Sequence, residues 1–93
     1  GPVAPIATFT SDDEAIALAN STEFGLASYV FGELGHALRL AERIEAGMVA
    51  INRGLLSDPA APFGGVKQSG LGREGAHDGL LEFTETKYIA VDW

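Results

Sequence analysis

The sequence predicts an α/β fold, a partial parallel sheet with helical crossovers, and three observations carry that expectation. Apolar runs of strand length alternate with amphipathic stretches of helical period through the first half of the chain. The central run, residues 26–31, is apolar and aromatic almost throughout, as a strand covered on both faces of a parallel sheet would be. Three parallel strands with their helices cannot cover both faces of their own sheet, so the pattern describes part of a larger one.

The elements follow in order. Residues 3–9 are short, apolar and partly β-branched, and predict a first strand. Ser11 followed three residues later by Glu14 reads as a capping box, opening a helix that runs to about Asn20. Asp12 and Asp13 fall in its first turn, where the helix dipole favours anions, and Ala15, Leu18 and Ala19 share its apolar face. Gly25 ends the connection and residues 26–31 form the second strand. A second helix carries the stripe Leu34, Ala37, Leu38, Ala41, Ile44, with Arg39, Glu42, Arg43 and Glu45 turned outward. Gly47 is placed as its C-cap, and Met48–Ile51 makes the third strand. Strand, helix, strand, helix, strand in this order implies right-handed parallel crossovers, half of a doubly wound sheet.

Residues 52–75 change character. Pro59, Pro62 and glycines 54, 64, 65, 70, 72 and 75 make a long aperiodic segment, and loops of this length in a small domain are usually functional or disordered. Leu55, Leu56, Phe63, Val66 and Leu71 supply apolar anchors that favour order. A helical turn is expected at Ala76–Leu81. Residues 83–93 alternate Phe83, Glu85, Lys87 against Thr84, Thr86, Tyr88 and read as a strand that must find an edge to pair with, on this chain or another.

Composition removes several function classes. At 93 residues one small domain is the prior. A formal charge of -7, with the basic residues scattered, repels phosphate backbones, so nucleic acid is not expected as a partner. The acidic groups at Asp12, Asp13, Glu14 and at Glu82, Glu85, Asp92 read as solvated faces. With no cysteine there is no disulfide, no thiolate metal site and no cysteine nucleophile. No signal peptide or membrane span is visible, and a cytoplasmic protein is expected.

Single motifs say less. Gly70-Leu71-Gly72-Arg73-Glu74-Gly75 has the spacing Gly-x-Gly-x-x-Gly, but it ends a loop instead of linking a strand to a helix, and Glu74 would oppose phosphate. Glycines that permit tight turns explain it better. Ser57, Ser69, His36 and His77 lack an orienting group or oxyanion hole in sequence, and the two histidines read as surface residues. No metal-ligand spacing is present, so no metal is expected. Phe63, between Pro62 and Gly64-Gly65, is either a loop anchor or a ring presented to a cavity.

Taken together, the run Ala61-Pro62-Phe63-Gly64-Gly65-Val66-Lys67-Gln68-Ser69-Gly70-Leu71-Gly72-Arg73-Glu74-Gly75 resembles the signature loop of aldehyde dehydrogenases. Gly1-Pro2-Val3 is similar to the tail of that family's Glu-x-Phe-Gly-Pro-Val motif. Phe24-Gly25-Leu26-Ala27-Ser28-Tyr29-Val30-Phe31 resembles its Tyr-Gly-Leu-Ala strand, and Glu45-Ala46-Gly47-Met48-Val49-Ala50-Ile51-Asn52 its Glu-x-Gly-x-Val-x-Ile-Asn strand. The resemblance covers essentially the whole chain in the right order.

The resemblance implies the C-terminal portion of an NAD(P)-dependent aldehyde dehydrogenase, closest to the succinate-semialdehyde type. Residues 1–82 would be the C-terminal part of the catalytic domain, and residues 83–93 a terminal strand that joins an oligomerisation sheet, making a homo-oligomer the expected assembly. In that family a cysteine attacks the carbonyl, hydride passes to nicotinamide, and a glutamate activates water. Neither group is in this chain, so no residue here is catalytic and the chain alone is expected to be inactive. Three positions carry over: Leu26 as the leucine near the nicotinamide ring, Phe63 as the aromatic wall of the substrate tunnel, and Ser57 as the serine that binds the distal carboxylate of succinate semialdehyde. NAD and NADP both stay open as cofactor. The alternative is a stand-alone, non-catalytic binding or structural module derived from the same family.

Overall fold

The chain, described over residues 1–93 by a computed structural model, forms its first regular element where a cap is supplied. Helix α1 spans Asp12–Asn20, and the Ser11 hydroxyl accepts from the Glu14 amide at 3.2 Å. The Glu14 carboxylate reaches back one residue further than a capping box requires, accepting from the Thr10 amide at 2.8 Å and its hydroxyl at 2.9 Å. Those bonds hold the Glu14 carboxyl below the usual glutamate range.

The buried face of α1 is not the expected one. Ile16 is the buried residue, while Leu18 and Ala19 stay exposed. Asn20, one turn beyond Ile16, decides the orientation: its amide donates to the Arg43 carbonyl at 2.9 Å and its Oδ1 accepts from the Glu45 amide at 2.8 Å. A hydrogen bond between His36 Nε2 and Asp12 at 2.7 Å and an ion pair of Arg43 with Asp13 at 2.6 Å add to the same contact.

The strand expected at residues 26–31 forms over its middle, and the connection before it forms a short strand of its own. Strand β1, Phe24–Gly25, pairs antiparallel with β4, Val66–Lys67. Strand β2, Ala27–Val30, pairs in parallel with β3, Met48–Ile51, with Ala27 opposite Met48 and Val30 opposite Ile51. Helix α2, Leu34–Ala41, makes the crossover and packs on both parallel strands, so one β-α-β unit of the expected series is realised. Ala37 on the helix and Ala50 on β3 are 1% and 3% exposed, and with Ile16 they are the buried apolar core.

Two of the expected strands do not form within the chain, for one reason. A strand exists only where its amides find a partner. Residues 3–9 and residues 83–93 have no ladder partner in the chain and form no strand, and their apolar side chains, among them Ile6, Phe83 and Trp93, are exposed. As expected of part of a larger sheet, the strands are not covered on both faces: α2 packs on them, and Tyr29 is 46% exposed in the middle of β2. Two of the five residues of the α2 stripe, Leu34 and Leu38, are exposed too. The radius of gyration is 17.6 Å, against about 12 Å expected of a compact domain of this length.

Gly47 does not cap α2. The helix ends at Ala41 with Glu42 as C-cap, and the φ of Gly47 is not in the left-handed region. The apolar anchoring of the loop is also partial: Leu56 and Val66 are half-buried, but Leu55 is exposed and Leu71 is 99% exposed. Helix α3, Ala76–Leu81, lies where the sequence placed a helical turn. No helix is long and apolar enough to cross a membrane.

Helix α2 carries a cap that composition does not advertise. The Glu33 carboxylate accepts from the amides of Gly35 at 2.8 Å and His36 at 2.7 Å, two of the donors left free at a helix start. These bonds, with Arg39 and His36 nearby, lower its pKa in spite of some desolvation. A folded-state pKa below the unfolded one gives stability that is present above the unfolded value, about 4.3, and is lost as pH falls through the folded value. In a full-length family member carrying this segment, Glu33→Gln is expected to speed exchange of the Gly35 and His36 amides at pH 7, and the difference from wild type to vanish in acid. Equal exchange of these amides at pH 7 would remove Glu33 as the cap.

Candidate functional site

Three of the chain's segments converge at the start of β3. The carbonyls of Gly25 and Leu26 accept from the amides of Gly47 at 3.0 Å and Met48 at 3.1 Å, so Leu26 sits where the chain leaves the β1/β4 pair and enters the β2/β3 pair. The glycine-rich loop lies on the same place. A Cβ on Gly47 would stand 2.6 Å from the Gly65 Cα and closer still to the Gly64 carbonyl, which no real side chain tolerates. A glycine at the start of a strand marks a close approach of a second backbone, and that is its role here.

Beyond β3 the chain turns at Asn52, whose φ is 53°. Its side-chain amide donates to the Gly32 carbonyl and accepts from the Gly32 amide, both at 2.9 Å, tying together the carboxyl ends of the two parallel strands. Ligands in open α/β sheets bind beyond these ends. The loop that follows closes on itself through Phe63 and Glu74, whose amides and carbonyls exchange bonds of 2.8 and 2.7 Å. Arg73 fixes the interior of the loop, with Nη1 donating to the carbonyls of Gly65 and Gly72 at 2.8 Å each. Gly70, Gly72 and Gly75 have φ of 108°, 83° and 70°, so the Gly-x-Gly-x-x-Gly spacing serves left-handed turns.

Phe63, 38% exposed, stands at the meeting of three clefts. The first, about 590 Å³, lies between Leu26 and Phe63 and is walled largely by glycine backbone, with Arg73, Glu74 and Glu82 at its side. The second, about 450 Å³, is bounded by Val49, Ile51, Arg53, Leu56 and Phe63. The third, about 320 Å³, holds Ser57, Asp58, Phe63 and Glu74. Leu26 and Phe63 therefore share one cleft and Phe63 and Ser57 another, while Leu26 and Ser57 share none. Phe63, Glu74 and Gly75 line both.

The first cleft disfavours phosphate. Glu74 and Glu82 line it, the Arg73 guanidinium is engaged by two carbonyls, and the Arg73 amide already donates to Glu82 at 3.0 Å. No group of three or more histidine, aspartate or glutamate side chains is arranged to hold a metal ion. Ser69 is engaged structurally, its hydroxyl accepting from the Gly25 amide at 2.9 Å, and His36 is held by Asp12. Sequence reasoning passed over Gly47, Asn52 and Lys67 as residues that place the site. Gly47 was legible as a glycine at a strand start; the partners of Asn52 and Lys67 lie about twenty to almost fifty residues away and leave no local signal.

The chain is a β-α-β unit whose glycine-rich loop packs at the amino ends of its parallel strands and carries Phe63 at the meeting of three clefts, the form of one part of a larger α/β sheet. Residues 1–89 match the aldehyde dehydrogenase family, and the chain belongs to it. Over 92 residues, 98% of this chain, it is 56% identical to a succinate-semialdehyde dehydrogenase of Paenarthrobacter nicotinovorans and 51% identical to a 3-sulfolactaldehyde dehydrogenase of Pseudomonas putida. It covers 20% and 19% of those two proteins, so it spans about a fifth of the length of the curated relatives it matches. An aldehyde dehydrogenase from Brucella melitensis biovar abortus 2308 superposes on 96% of the chain, using 19% of its own, with a TM-score of 0.89 and 56% identity. A succinic semialdehyde dehydrogenase from Streptococcus pyogenes, solved with NADP+, covers 89% of the chain with 18% of its own at a TM-score of 0.83 and 40% identity. A betaine aldehyde dehydrogenase from Staphylococcus aureus, solved with NAD+, covers 89% with 17% at a TM-score of 0.86 and 44% identity.

The contact at Gly47 gives a direct check. In a full-length family member carrying this segment, Gly47→Ala is expected to destabilise by about 1–3 kcal/mol, the usual cost of overpacking, because backbone and not a flexible side chain must move. Thermal unfolding measures it, and an unchanged midpoint would show that the loop does not press on β3.

Proposed function

We propose that the chain is the C-terminal portion of a longer NAD(P)-dependent aldehyde dehydrogenase that oxidises an aldehyde bearing a distal acid group, succinate semialdehyde first among them, to the carboxylate. The observation that carries this reading is the position of Phe63 between a cleft that holds Leu26 and a cleft that holds Ser57. A substrate with a reactive aldehyde at one end and an anion at the other needs two such compartments joined by an apolar wall. The names of the relatives support the same chemistry, since succinate semialdehyde carries a carboxylate and 3-sulfolactaldehyde a sulfonate opposite the aldehyde.

Each residue has a defined task in this reading. Leu26 offers an apolar surface in a cleft whose acidic lining disfavours phosphate, so the nicotinamide end of a dinucleotide fits there and its phosphates are held by other parts of the protein. Nicotinamide, when bound, accepts the hydride. Phe63 keeps water from the carbon chain of the substrate and fixes its direction. The Ser57 hydroxyl donates to an oxygen of the distal anion, and because Asp58 and Glu74 line the same cleft, the cations that offset the anion's charge come from other parts of the parent. In this reading residues 1–82 belong to the last part of the catalytic domain, which the order of the matched motifs supports. Residues 83–93, unpaired here, would become a strand on the edge of another subunit's sheet, which gives a homo-oligomer. The chain has no cysteine, so it supplies walls and contacts while the attacking thiolate comes from elsewhere in the parent.

A panel of aldehydes assayed on the full-length parent, with NAD and with NADP, tests the proposal. Succinate semialdehyde, or a close ω-acid aldehyde, is expected to have the highest kcat/KM. Ser57→Ala removes one hydrogen bond to a charged group and should raise its KM by about tenfold or more, at little cost in kcat. Preference for an uncharged aldehyde, or an unchanged KM in Ser57→Ala, would refute the substrate assignment.

A further inference from the structure

The glycine-rich loop is held by a cation to which neither the proposed binding nor the chemistry gives a task. Lys67 lies within the loop, on β4, with a φ of 57°, a backbone conformation that persists in a side-chain-bearing residue only where its surroundings over-determine it. The surroundings are specific. Its ammonium donates to the carbonyls of Asn20 at 3.1 Å and Thr22 at 3.3 Å and pairs with the Glu45 carboxylate. Asn20 is the last residue of α1, where helix carbonyls are left without partners and carry partial negative charge. Glu45 lies in the connection from α2 to β3, and the Lys67 side chain is only 25% exposed.

The backbone beside it is fastened to the segment that ends in Leu26. Phe24 faces Lys67 and Gly25 faces Val66, the Gln68 amide donates to the Glu23 carbonyl at 2.9 Å, and the Ser69 hydroxyl accepts from Gly25. Lys67 therefore joins the loop to three places at once: the end of α1, the turn before β1, and the turn before β3.

We infer that Lys67 is a positioning residue, whose ammonium latches the glycine-rich loop onto α1 and the α2–β3 turn and so sets the separation of Leu26 and Phe63 across their cleft. Lys67 does not line that cleft and acts through the loop. The inference rests on the reading of this cleft as the place where the aldehyde meets nicotinamide.

The test uses the full-length parent, with hydrogen exchange and steady-state kinetics on wild type, Lys67→Met, Lys67→Arg and Glu45→Gln. Lys67→Met is expected to speed exchange at the Gly25 and Gln68 amides by about tenfold or more, the loss of charge-assisted bonds, while the Met48 and Asn52 amides of the parallel pair keep wild-type protection. The aldehyde KM should rise with kcat within about twofold, and Lys67→Arg should restore most of both, because a ground-state positioning defect acts on binding. Glu45→Gln removes one partner from an exposed site and should speed the same two amides by a smaller factor, about threefold, which keeps the latch testable should Lys67→Met fail to fold. Wild-type exchange at Gly25 and Gln68 in both Lys67→Met and Glu45→Gln would overturn the latch, as would equal loss of protection at every amide. Accelerated exchange with unchanged KM would overturn its link to the cleft. A wild-type parent that oxidises no aldehyde would instead refute the proposed function, leaving the latch to be decided by exchange alone.

Discussion

A parallel pair of strands buries its side chains only when something covers both faces, and in this chain one helix covers one. That constraint organises what is seen. Ala37 and Ala50 meet where α2 lies on the sheet, and Tyr29, Leu34 and Leu38 stay exposed around the contact. Burial of apolar area is the main favourable term in folding, and the conformational entropy of ordering 93 residues opposes it. With three apolar residues buried, the interior is small for a chain of this length. The α/β pattern is therefore intelligible as a surface made to be covered, and the exposed apolar segments at residues 3–9 and 83–93 belong to the same account.

Where the structure is tight, it is tight through backbone. Gly47, Gly64, Gly65 and Gly25 let the glycine-rich loop, the start of β3 and the turn at Leu26 pack without intervening side chains. Hydrogen bonds from Ser69, Arg73, Asn52 and Lys67 then secure each segment to another. Phe63 is presented between clefts by this lattice, so the proposed site owes its geometry to glycines and to polar ties and not to a large core. Sites built in this way are sensitive to small displacements, because apolar packing cannot compensate for a lost tie.

Much of this was legible in the sequence where a local rule governs. The Ser11 cap, the two longer helices, the strand Met48–Ile51 and the turn of helix at Ala76–Leu81 all follow from capping residues and periodicity. Family membership was carried by the ordered motifs that the family match covers. What was not legible depends on distant partners. The run through Leu26 looks like one strand, but β4 arrives from forty residues away to pair with Phe24 and Gly25. Ile16 is buried in place of Leu18 because Asn20 finds Arg43 and Glu45. Gly47 resembles a helix cap in sequence because it follows a helical pattern, and only the facing Gly64 and Gly65 give it another task. Residues 83–93 have the alternation of a strand but pair with no strand of the chain.

The claim that these elements are one part of a larger sheet is tested most directly on the 93-residue chain by itself, by small-angle scattering together with chemical denaturation. The account predicts a radius of gyration well above the roughly 12 Å of a compact domain this size and no cooperative unfolding transition. A monomer of compact dimensions that unfolds in one cooperative step, with the Phe63 ring and Tyr29 protected from solvent, would contradict it.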